Sequence, residues 1–256
     1  MNQSVAIVTG ASQGIGRATA IRVARDFSGV VLAARNEATL AEVGATVKSA
    51  GAEPLICAVD LSKSEAPEAL VKATLERFGR IDALLNIAGA VPQIDLFEMT
   101  DEQWQAGMDL KLHGARRLTL RAWDALKLSS GSVVFMSGNA ALHPNPAFAA
   151  VATVNAAVIA LARAFAEQGI KDGVQVNSIV PGAVMTGRRR SFLQRWAPAH
   201  NMTVEAATNK FPELAGINRY GQPEEIAEML AFMVSPAAKW MTGTSVRMDG
   251  GEIKGI

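Results

Sequence analysis

The chain has 256 residues, of which 49% are hydrophobic, and its formal net charge is +1 at pH 7. A charge this close to neutral gives no electrostatic basis for binding nucleic acid or an anionic membrane surface, and no uncharged apolar run approaches the roughly 18 residues that span a bilayer. We therefore expect a cytoplasmic protein without nucleic-acid or membrane partners, and the length suits one α/β domain.

The first residues and the single cysteine agree with that expectation. The chain passes directly from Met1 into a strand pattern, without the basic and apolar regions of a signal peptide. Cys57 is the only cysteine, so it cannot form an internal disulfide. It lies in an apolar run at 54–59 that we interpret as a buried strand, with no basic neighbour to make the thiol reactive.

A glycine-rich turn follows the first predicted strand. The apolar residues 5–8 lead into the stretch 9–16 and then into apolar residues at helical spacing. In such a strand–turn–helix unit Gly10 lets the chain turn tightly, Gly14 lets backbone approach a pyrophosphate, and Gly16 lets helix and strand pack closely. The helix N-terminus adds free N–H groups and the positive end of its dipole, so the unit is typical of a phosphate-binding site.

The residues after the second strand indicate which dinucleotide fits. That strand is predicted at 30–33, the right distance for a βαβ unit. An acidic residue after it would hydrogen-bond the ribose 2′-hydroxyl of NAD, but the sequence has Arg35 and Asn36, with no acid before Glu37. A cationic side chain here favours a 2′-phosphate, whereas the alternative is a solvated arginine that caps a loop. We predict NADP (NADPH) in preference to NAD.

The rest of the chain alternates strands with helices. Strands are predicted at residues 5–8, 30–33, 55–59, 81–87, 132–136, 174–180 and 245–248. Helices are predicted after the glycine turn and at residues 38–49, 65–78, 101–127, 147–168 and 226–234. This alternation predicts a doubly wound parallel sheet of about seven strands with right-handed crossovers. No repeat or linker divides the chain, so we expect a single α/β domain over residues 1–256.

One of these helices, 147–168, is apolar nearly all round, which indicates burial on every face. Its small residues, such as Ala156 and Ala160, would allow a close approach to another subunit, and the alternative is burial within one subunit. We expect it to pack at a subunit interface or inside the core.

The segment 187–218 loses regular periodicity and is rich in arginine. A long irregular insertion in a compact domain is usually functional or mobile, so we predict a lid over a substrate cleft. Arg188, Arg189 and Arg190 would suit an anionic small-molecule substrate such as a carboxylate or acyl-CoA, and the alternative is a solvated charged face.

Taken in order, these segments resemble the short-chain dehydrogenase/reductase family over essentially the whole chain. The resembling segments are the TGxxxGxG-like turn at 9–16, the adenine-side acid Asp60, the NNAG-like segment 86–89, the N-x-x-x-PG-like segment 177–182, and the C-terminal segments 223–226 and 242–251. The resemblance implies a single-domain Rossmann fold of seven strands that binds NADP. It also implies a homo-oligomer, dimer or tetramer, assembled through the two long central helices.

The same resemblance implies which residues contact the cofactor, and no metal is expected. The expected cofactor-binding residues are Gly10, Ser12, Gln13, Gly14, Ile15, Gly16, Arg35, Asn36, Asp60, Leu61, Asn86, Ala88, Gly89, Pro181, Gly182 and Val184.

The catalytic signature departs from the family. Its members use a Ser and a Tyr on the substrate oxygen, a Lys four residues after the Tyr that lowers the Tyr pKa, and an Asn on the long central helix that supports a water relay. Alignment places Gly138, Val151, Asn155 and Lys111 at these four positions. Glycine and valine side chains have no proton to give, so the usual Tyr-centred step is not available.

Three residues are candidates for displaced proton transfer: Lys111, His143 and Asn155. Lys111 and Asn155 resemble an exchange of the family's Asn and Lys, which would keep a positive charge near the nicotinamide ribose; the alternative is independent drift of both positions. His143 lies five residues past Gly138 and an imidazole exchanges protons near neutral pH, although a lone histidine can equally be an ordinary loop residue.

We therefore expect an NADP-binding oxidoreductase that transfers hydride to or from a small carbonyl or activated C=C substrate. The proton would come from Lys111, His143, water or the substrate itself. Two alternatives stay open: a catalytically silent nucleotide-binding sensor or scaffold, and a non-redox lyase or isomerase. Fold class alone does not choose among them.

Overall fold

The computed structural model describes residues 4–255. The prediction about the start of the chain rests partly on residues 1–3, which lie outside the described residues. Seven strands form one sheet, and all of their pairings are parallel. They are β1 Val5–Thr9, β2 Gly29–Ala34, β3 Glu53–Ala58, β4 Ala83–Asn86, β5 Ser132–Met136, β6 Gln175–Pro181 and β7 Ser245–Met248.

Nine α-helices accompany the sheet within residues 4–255. They are α1 Gly14–Val23, α2 Glu37–Ser49, α3 Ala66–Phe78, α4 Asp101–Met108, α5 Ala115–Ser129, α6 Ala149–Asp172, α7 Gly187–Ala199, α8 Val204–Leu214 and α9 Pro223–Met233. The strand order is β3-β2-β1-β4-β5-β6-β7, so the chain changes direction of travel between β1 and β4. This is the predicted doubly wound Rossmann sheet.

Alternating side chains of the central strands build a core on each face of the sheet, because successive residues of a strand point to opposite faces. Ala6 and Val8 of β1 pack with α1, α2 and α9. Val5 and Ile7 pack with α3, α5 and α6 on the other face. The helices therefore form two layers, one on each side of the sheet.

The strand around Cys57 is not buried as predicted. β3 is one of the two edge strands of the sheet, with Glu53 and Ala58 exposed and Ile56 37% exposed. Cys57 itself is buried. An apolar run does not distinguish a central strand from an edge strand, because only the sheet order decides which strand lacks a second neighbour.

The prediction that α6 is buried on every face is wrong for the single chain. One face packs on β5 and β6, while Thr153, Ala156, Ala160 and Ala164 are exposed. By length and composition alone, Pro146–Asp172 is long and apolar enough to cross a membrane, a test that the core helix of a soluble protein also passes. The exposed stripe of small residues explains why the sequence looks apolar all round.

The predicted helix 101–127 is continuous but contains a turn of π-helix at Asp109–Gly114, between α4 and α5. π turns occur often at functional sites. A Cβ atom on Gly114 would lie 2.6 Å from the carbonyl oxygen of Leu61, so glycine lets the helix approach the loop after β3. The turn contains Lys111.

The lid segment, residues 187–218, is not irregular as predicted, because it forms α7 and α8. Thr186 and Thr203 cap the two helices by accepting hydrogen bonds from backbone N–H groups three residues on. Pro198 and Pro212 lie inside these helices near their ends. Proline is a strong signal against a helix interior, which is why the sequence pattern concealed both helices.

Replacing Gly169 tests how closely α6 packs on the start of β6. A Cβ atom there would lie 2.2 Å from the Val174 carbonyl oxygen. Overpacking against backbone costs up to about 3 kcal/mol and alanine recovers about 1 kcal/mol of helix propensity. We therefore expect Gly169→Ala to lower the free energy of unfolding by about 1–2 kcal/mol in urea titrations. Gly187→Ala is the control, since nothing lies within 4 Å of its Cβ position; equal stability of the two variants would contradict the packing.

Candidate active site

A cleft of about 2170 Å³ opens at the carboxyl ends of the strands. It lies where the strand order reverses between β1 and β4, the place where open α/β sheets bind ligands. Pockets for drug-sized ligands measure roughly 300–1,000 Å³. The cleft therefore has room for a dinucleotide together with a second small molecule.

The turn between β1 and α1 has the geometry of a phosphate cradle. Gly10 and Gly14 have positive φ angles of 67° and 54°, which L side chains rarely adopt. A Cβ atom on Gly16 would lie 2.1 Å from the Gly10 carbonyl oxygen. No side chain caps the N-terminus of α1, so its first N–H groups are free to bind an anion. These observations fit the pyrophosphate of a dinucleotide.

The opposite end of the cradle carries Arg35 and Asp60. Arg35 is exposed at the cleft wall and forms no ion pair within residues 4–255, so its guanidinium is available to a phosphate. Burial alone would raise the pKa of the Asp60 carboxyl, but hydrogen bonds from the Ser62 hydroxyl (2.8 Å) and N–H (3.0 Å) hold that pKa below its usual range. Asp60 is therefore an ionised acceptor. Asn36 caps α2 by accepting from Thr39 N–H.

All of the residues predicted to contact the cofactor line the cleft except Asn86. Asn86 is buried, and its side-chain Nδ2 donates to Thr119 Oγ1 at 3.1 Å. As the last residue of β4 it lies on the same face of the sheet as Leu84, which packs with α5, because residues two apart in a strand point to the same face. Asn86 therefore ties β4 to α5.

Thr9 is a supporting residue that the sequence did not single out. Its hydroxyl accepts hydrogen bonds from Ile87 N–H (2.8 Å) and Ala88 N–H (3.0 Å). It thereby fixes the loop after β4, which carries Gly89 along the cleft wall. A threonine at the carboxyl end of the first strand, facing a segment like 86–89, is the signal that could have identified it.

Lys111 and Asn155 meet in the cleft. Lys111 Nζ donates to Asn155 Oδ1 at 2.5 Å and to the Ser137 carbonyl oxygen at 3.2 Å. Asn155 is 3% exposed, and its main-chain carbonyl oxygen accepts a hydrogen bond from Ser137 Oγ at 2.9 Å. An ammonium group has three N–H donors. Two are used here, so one tetrahedral position on Nζ remains for a substrate or water atom.

Burial lowers the pKa of Lys111 to about 7, and the positive charge of Arg188 adds to that effect. Arg188 is fixed near it by donating to the carbonyl oxygens of Val91 (2.6 Å) and Gly89 (3.4 Å). A side chain that exchanges its proton near neutral pH is suited to general acid–base chemistry.

Gly138 and Val151 also line the cleft. A Cβ atom on Gly138 would lie 3.0 Å from Asn155 Nδ2, so glycine leaves the space that the Asn155 amide occupies. Val151 packs against a small apolar cluster of Val91, Ala150 and Val154. These two positions shape the cleft wall and carry no proton-transfer group.

The structure places the other polar candidates at the margin. His143 lines the cleft but is exposed at its rim. Tyr220 is the only tyrosine; it is buried, and its hydroxyl donates to the Thr208 carbonyl oxygen at 3.1 Å, which is a structural role. Within residues 4–255 no group of three or more His, Cys, Asp or Glu side chains could hold a metal ion.

Residues 187–218, the predicted lid segment, line one wall of the cleft with aromatic and cationic side chains. Phe192, Trp196 and Phe211 line the cleft, together with Arg188 and Arg189. Arg190 is exposed and does not line it, which corrects its grouping with the other two arginines.

Glu252, from the C-terminal segment, completes this wall. One of its carboxylate oxygens, Oε2, accepts from Asn139 Nδ2 (2.9 Å) and Ala183 N–H (3.0 Å). No sequence pattern marks this residue, because it is distant in the chain from both partners.

Comparisons with known proteins agree with this geometry. A family model described as enoyl-(acyl carrier protein) reductase matches residues 10–252. A 3-oxoacyl-(acyl-carrier-protein) reductase of Synechocystis sp. is 33% identical over 256 residues, spanning 99% of this chain and 98% of the relative.

Solved structures extend the likeness to the whole fold. L-sorbose reductase from Gluconobacter frateurii, complexed with NADPH and L-sorbose, matches at a TM-score of 0.93 and 27% identity over 100% of both chains. NAD+-bound xylitol dehydrogenase matches at a TM-score of 0.91 and 25% identity, and the match covers 98% of this chain and 99% of the other. The two relatives hold different dinucleotides, so the choice of cofactor must come from this chain's own residues.

Reversing the charge at residue 35 tests that choice. Hydrogen bonds between charged groups contribute roughly 1.5–3 kcal/mol, or about 10- to 100-fold in affinity. We expect Arg35→Asp to weaken NADPH binding by about tenfold or more while NADH binding is unchanged or tighter, as measured by nucleotide fluorescence titration. Arg25→Asp, the same charge change on an exposed residue outside the cleft, is the control. An equal loss of affinity for NADPH and NADH would count against a contact between Arg35 and the 2′-phosphate.

The pKa of Lys111 also predicts how stability depends on pH. The folded-state pKa is about 7 against an ordinary value of 10.5. Between these values the unfolded chain binds more protons, so this residue makes stability rise with pH from about 7 to about 10. Urea titrations at several pH values should show that Lys111→Met removes this rise, whereas Lys48→Met, on an exposed helix position, retains it. Identical pH profiles for wild type and Lys111→Met would contradict the lowered pKa.

Proposed function

Because this chain belongs to the short-chain dehydrogenase/reductase family, we propose that it is an NADP-dependent reductase of a small carbonyl or activated C=C compound. The observation that carries the proposal is the pair Lys111–Asn155, which sets an amine of near-neutral pKa in the cleft where the family has other groups. The preference for NADP rests on Arg35 and on the absence of an acid between it and β2.

The cradle residues bind and orient the nucleotide. The glycine turn and the α1 N-terminus would hold the pyrophosphate, Arg35 the 2′-phosphate, and Asp60 the adenine side. When bound, a reduced nicotinamide supplies a hydride, which is one hydrogen with two electrons, and it becomes oxidised. The chain must then supply one proton for each substrate molecule reduced.

Lys111 is the proton source in this proposal. Its ammonium form gives the proton from Nζ to the substrate's carbonyl oxygen, or to the enolate formed when an activated C=C bond is reduced. The product is an alcohol or a saturated carbonyl compound, and Lys111 is left as a neutral amine. Water entering the cleft returns the proton. Asn155 and the Ser137 carbonyl accept hydrogen bonds from Nζ in both states, so the amine keeps its position.

An activated C=C bond suits this site better than an isolated ketone. Val151 puts an apolar side chain where the family has its tyrosine hydroxyl, so the donor approaches from the Lys111 side. In a ketone the proton-accepting oxygen is bonded directly to the carbon that takes the hydride, whereas in an enone the hydride goes to the β-carbon and the carbonyl oxygen lies three bonds away. Hydride and proton can therefore be delivered from well-separated positions. His143 on the rim is a second group that could relay protons to solvent.

Assembly and location are part of the same proposal. The exposed small residues Ala156 and Ala160 of α6 would allow a second copy to approach closely, which favours a homo-oligomer, and we place the enzyme in the cytoplasm. The exposed Leu120 of α5, 52% accessible, lies on the other central helix that would join such an interface.

Activity and its pH dependence test the proposal. We expect NADPH oxidation with at least one member of a panel of ketones, enones and enoyl thioesters, with kcat/KM falling as pH rises through about 7 because Lys111 loses its proton. Lys111→Met should lower kcat/KM by roughly 10²- to 10⁴-fold, the usual range for a general acid, and abolish that pH limb.

Lys48→Met serves as the control and should keep both rate and pH profile. Tight NADPH binding without oxidation by any substrate in the panel would contradict a reductase and favour a nucleotide-binding protein. A Lys111→Met variant with full activity would remove Lys111 from the mechanism.

A further inference from the structure

Arg189 lies in the first turn of α7, with its guanidinium among aromatic rings. The central carbon of that group is 4.7 Å from the Phe211 ring centroid and 5.3 Å from the Phe192 centroid. Both rings and the arginine line the cleft. Cation–π contacts hold the guanidinium in place but do not use its N–H groups.

Those N–H groups have no acceptor within residues 4–255. Neighbouring arginines differ: Arg188 donates to two carbonyl oxygens, Arg195 donates to Gln93, and Arg219 pairs with Glu225. Arg189 forms no side-chain hydrogen bond and no ion pair within 4.0 Å in this part of the chain. Burial lowers the pKa of Arg189, with the charge of Glu252 opposing that effect. Arginine nevertheless keeps its proton in proteins, so a partly buried cation is left with unsatisfied donors.

The charges along the cleft wall around Arg189 also favour an anionic ligand. Away from the adenine end, the cationic residues that line the cleft are Lys111, Arg188, Arg189, Arg195 and Lys254. The single carboxylate among the lining residues of this end is Glu252, and one of its oxygens is already engaged by Asn139 and Ala183. A field of one sign in a cleft concentrates ions of the opposite sign.

The remaining lining is apolar and aromatic. Phe148 and Phe192 lie 5.7 Å apart, and Phe211 lies 5.9 Å from Phe192 and 6.2 Å from Trp196, all measured between ring centroids. Such walls bind planar or apolar groups. The ligand that matches both features carries an oxyanion on an apolar body.

We propose that Arg189 is a specificity-determining residue that binds an oxyanion, a carboxylate or a phosphate, on a substrate with an apolar or aromatic body. The planar guanidinium offers paired N–H donors that match such an oxyanion. This inference rests on the proposed function, because it names the class of substrate that the reductase would accept.

The test measures binding rather than turnover. Trans-cinnamate, its neutral methyl ester and phenyl phosphate are titrated by calorimetry into the protein saturated with NADP+, so that the phosphate cradle is filled. We expect one of the two anions to bind at least about tenfold more tightly than the ester, and the tighter one identifies the oxyanion. Arg189→Met should weaken the binding of that anion by about tenfold or more and leave the affinity for the ester unchanged. Arg190→Met, on the exposed neighbour outside the cleft, should change neither.

The inference would be overturned if the anions bound no more tightly than the ester. It would also be overturned if Arg189→Met bound the anions as tightly as wild type. NADPH affinity reports on folding, and it should be the same in wild type and Arg189→Met. If NADPH affinity were lost in Arg189→Met but not in wild type, Arg189 would be a cofactor-binding residue, and this result would also overturn the inference. If wild type bound no NADPH, the proposed function would fail instead; the same titration without NADP+ would still decide the role of Arg189.

Discussion

The hydrogen bond between Lys111 Nζ and Asn155 Oδ1 is the contact on which the account of this site depends. It joins the π turn between α4 and α5 to α6 across 44 residues of sequence. Without it the amine would be a buried charge with a single acceptor, the Ser137 carbonyl oxygen. With it, the amine has a fixed position, while burial and the charge of Arg188 bring its pKa to about 7. Gly138 belongs to the same arrangement, because any side chain there would press on the Asn155 amide.

Much of the fold and of the cofactor cradle follows from the sequence, because both depend on local patterns. Strand spacing gave the parallel sheet, and the glycines of the first turn are required by positive φ angles and close backbone contacts. Other features depend on tertiary contacts. The exposure of β3 follows from sheet order, the direction of Asn86 from its register at the end of β4, and the two lid helices were concealed by Pro198 and Pro212. Only the contacts with Phe192 and Phe211 distinguish Arg189 from the other arginines of its run, and Glu252 meets Asn139 and Ala183 only in the folded chain.

The cleft divides into two ends with different chemistry, and the lid segment connects them. One end has the backbone N–H groups of the α1 N-terminus and Arg35; the other has aromatic rings and cations. Arg188 donates from α7 to Gly89 and Val91 of the loop after β4, and its charge contributes to the lowered pKa of Lys111. A movement of α7 would therefore change the proton affinity of Lys111 as well as access to the cleft.

The most direct test of this account is the titration of Lys111 itself, followed by NMR of lysine labelled with ¹³C at Cε and assigned with Lys111→Arg. We expect a Lys111 pKa of about 7, and we expect Asn155→Ala to lower this value because the ammonium form loses its closest hydrogen-bond acceptor. A Lys111 that titrates at its ordinary value of 10.5, with no response to Asn155→Ala, would contradict the account.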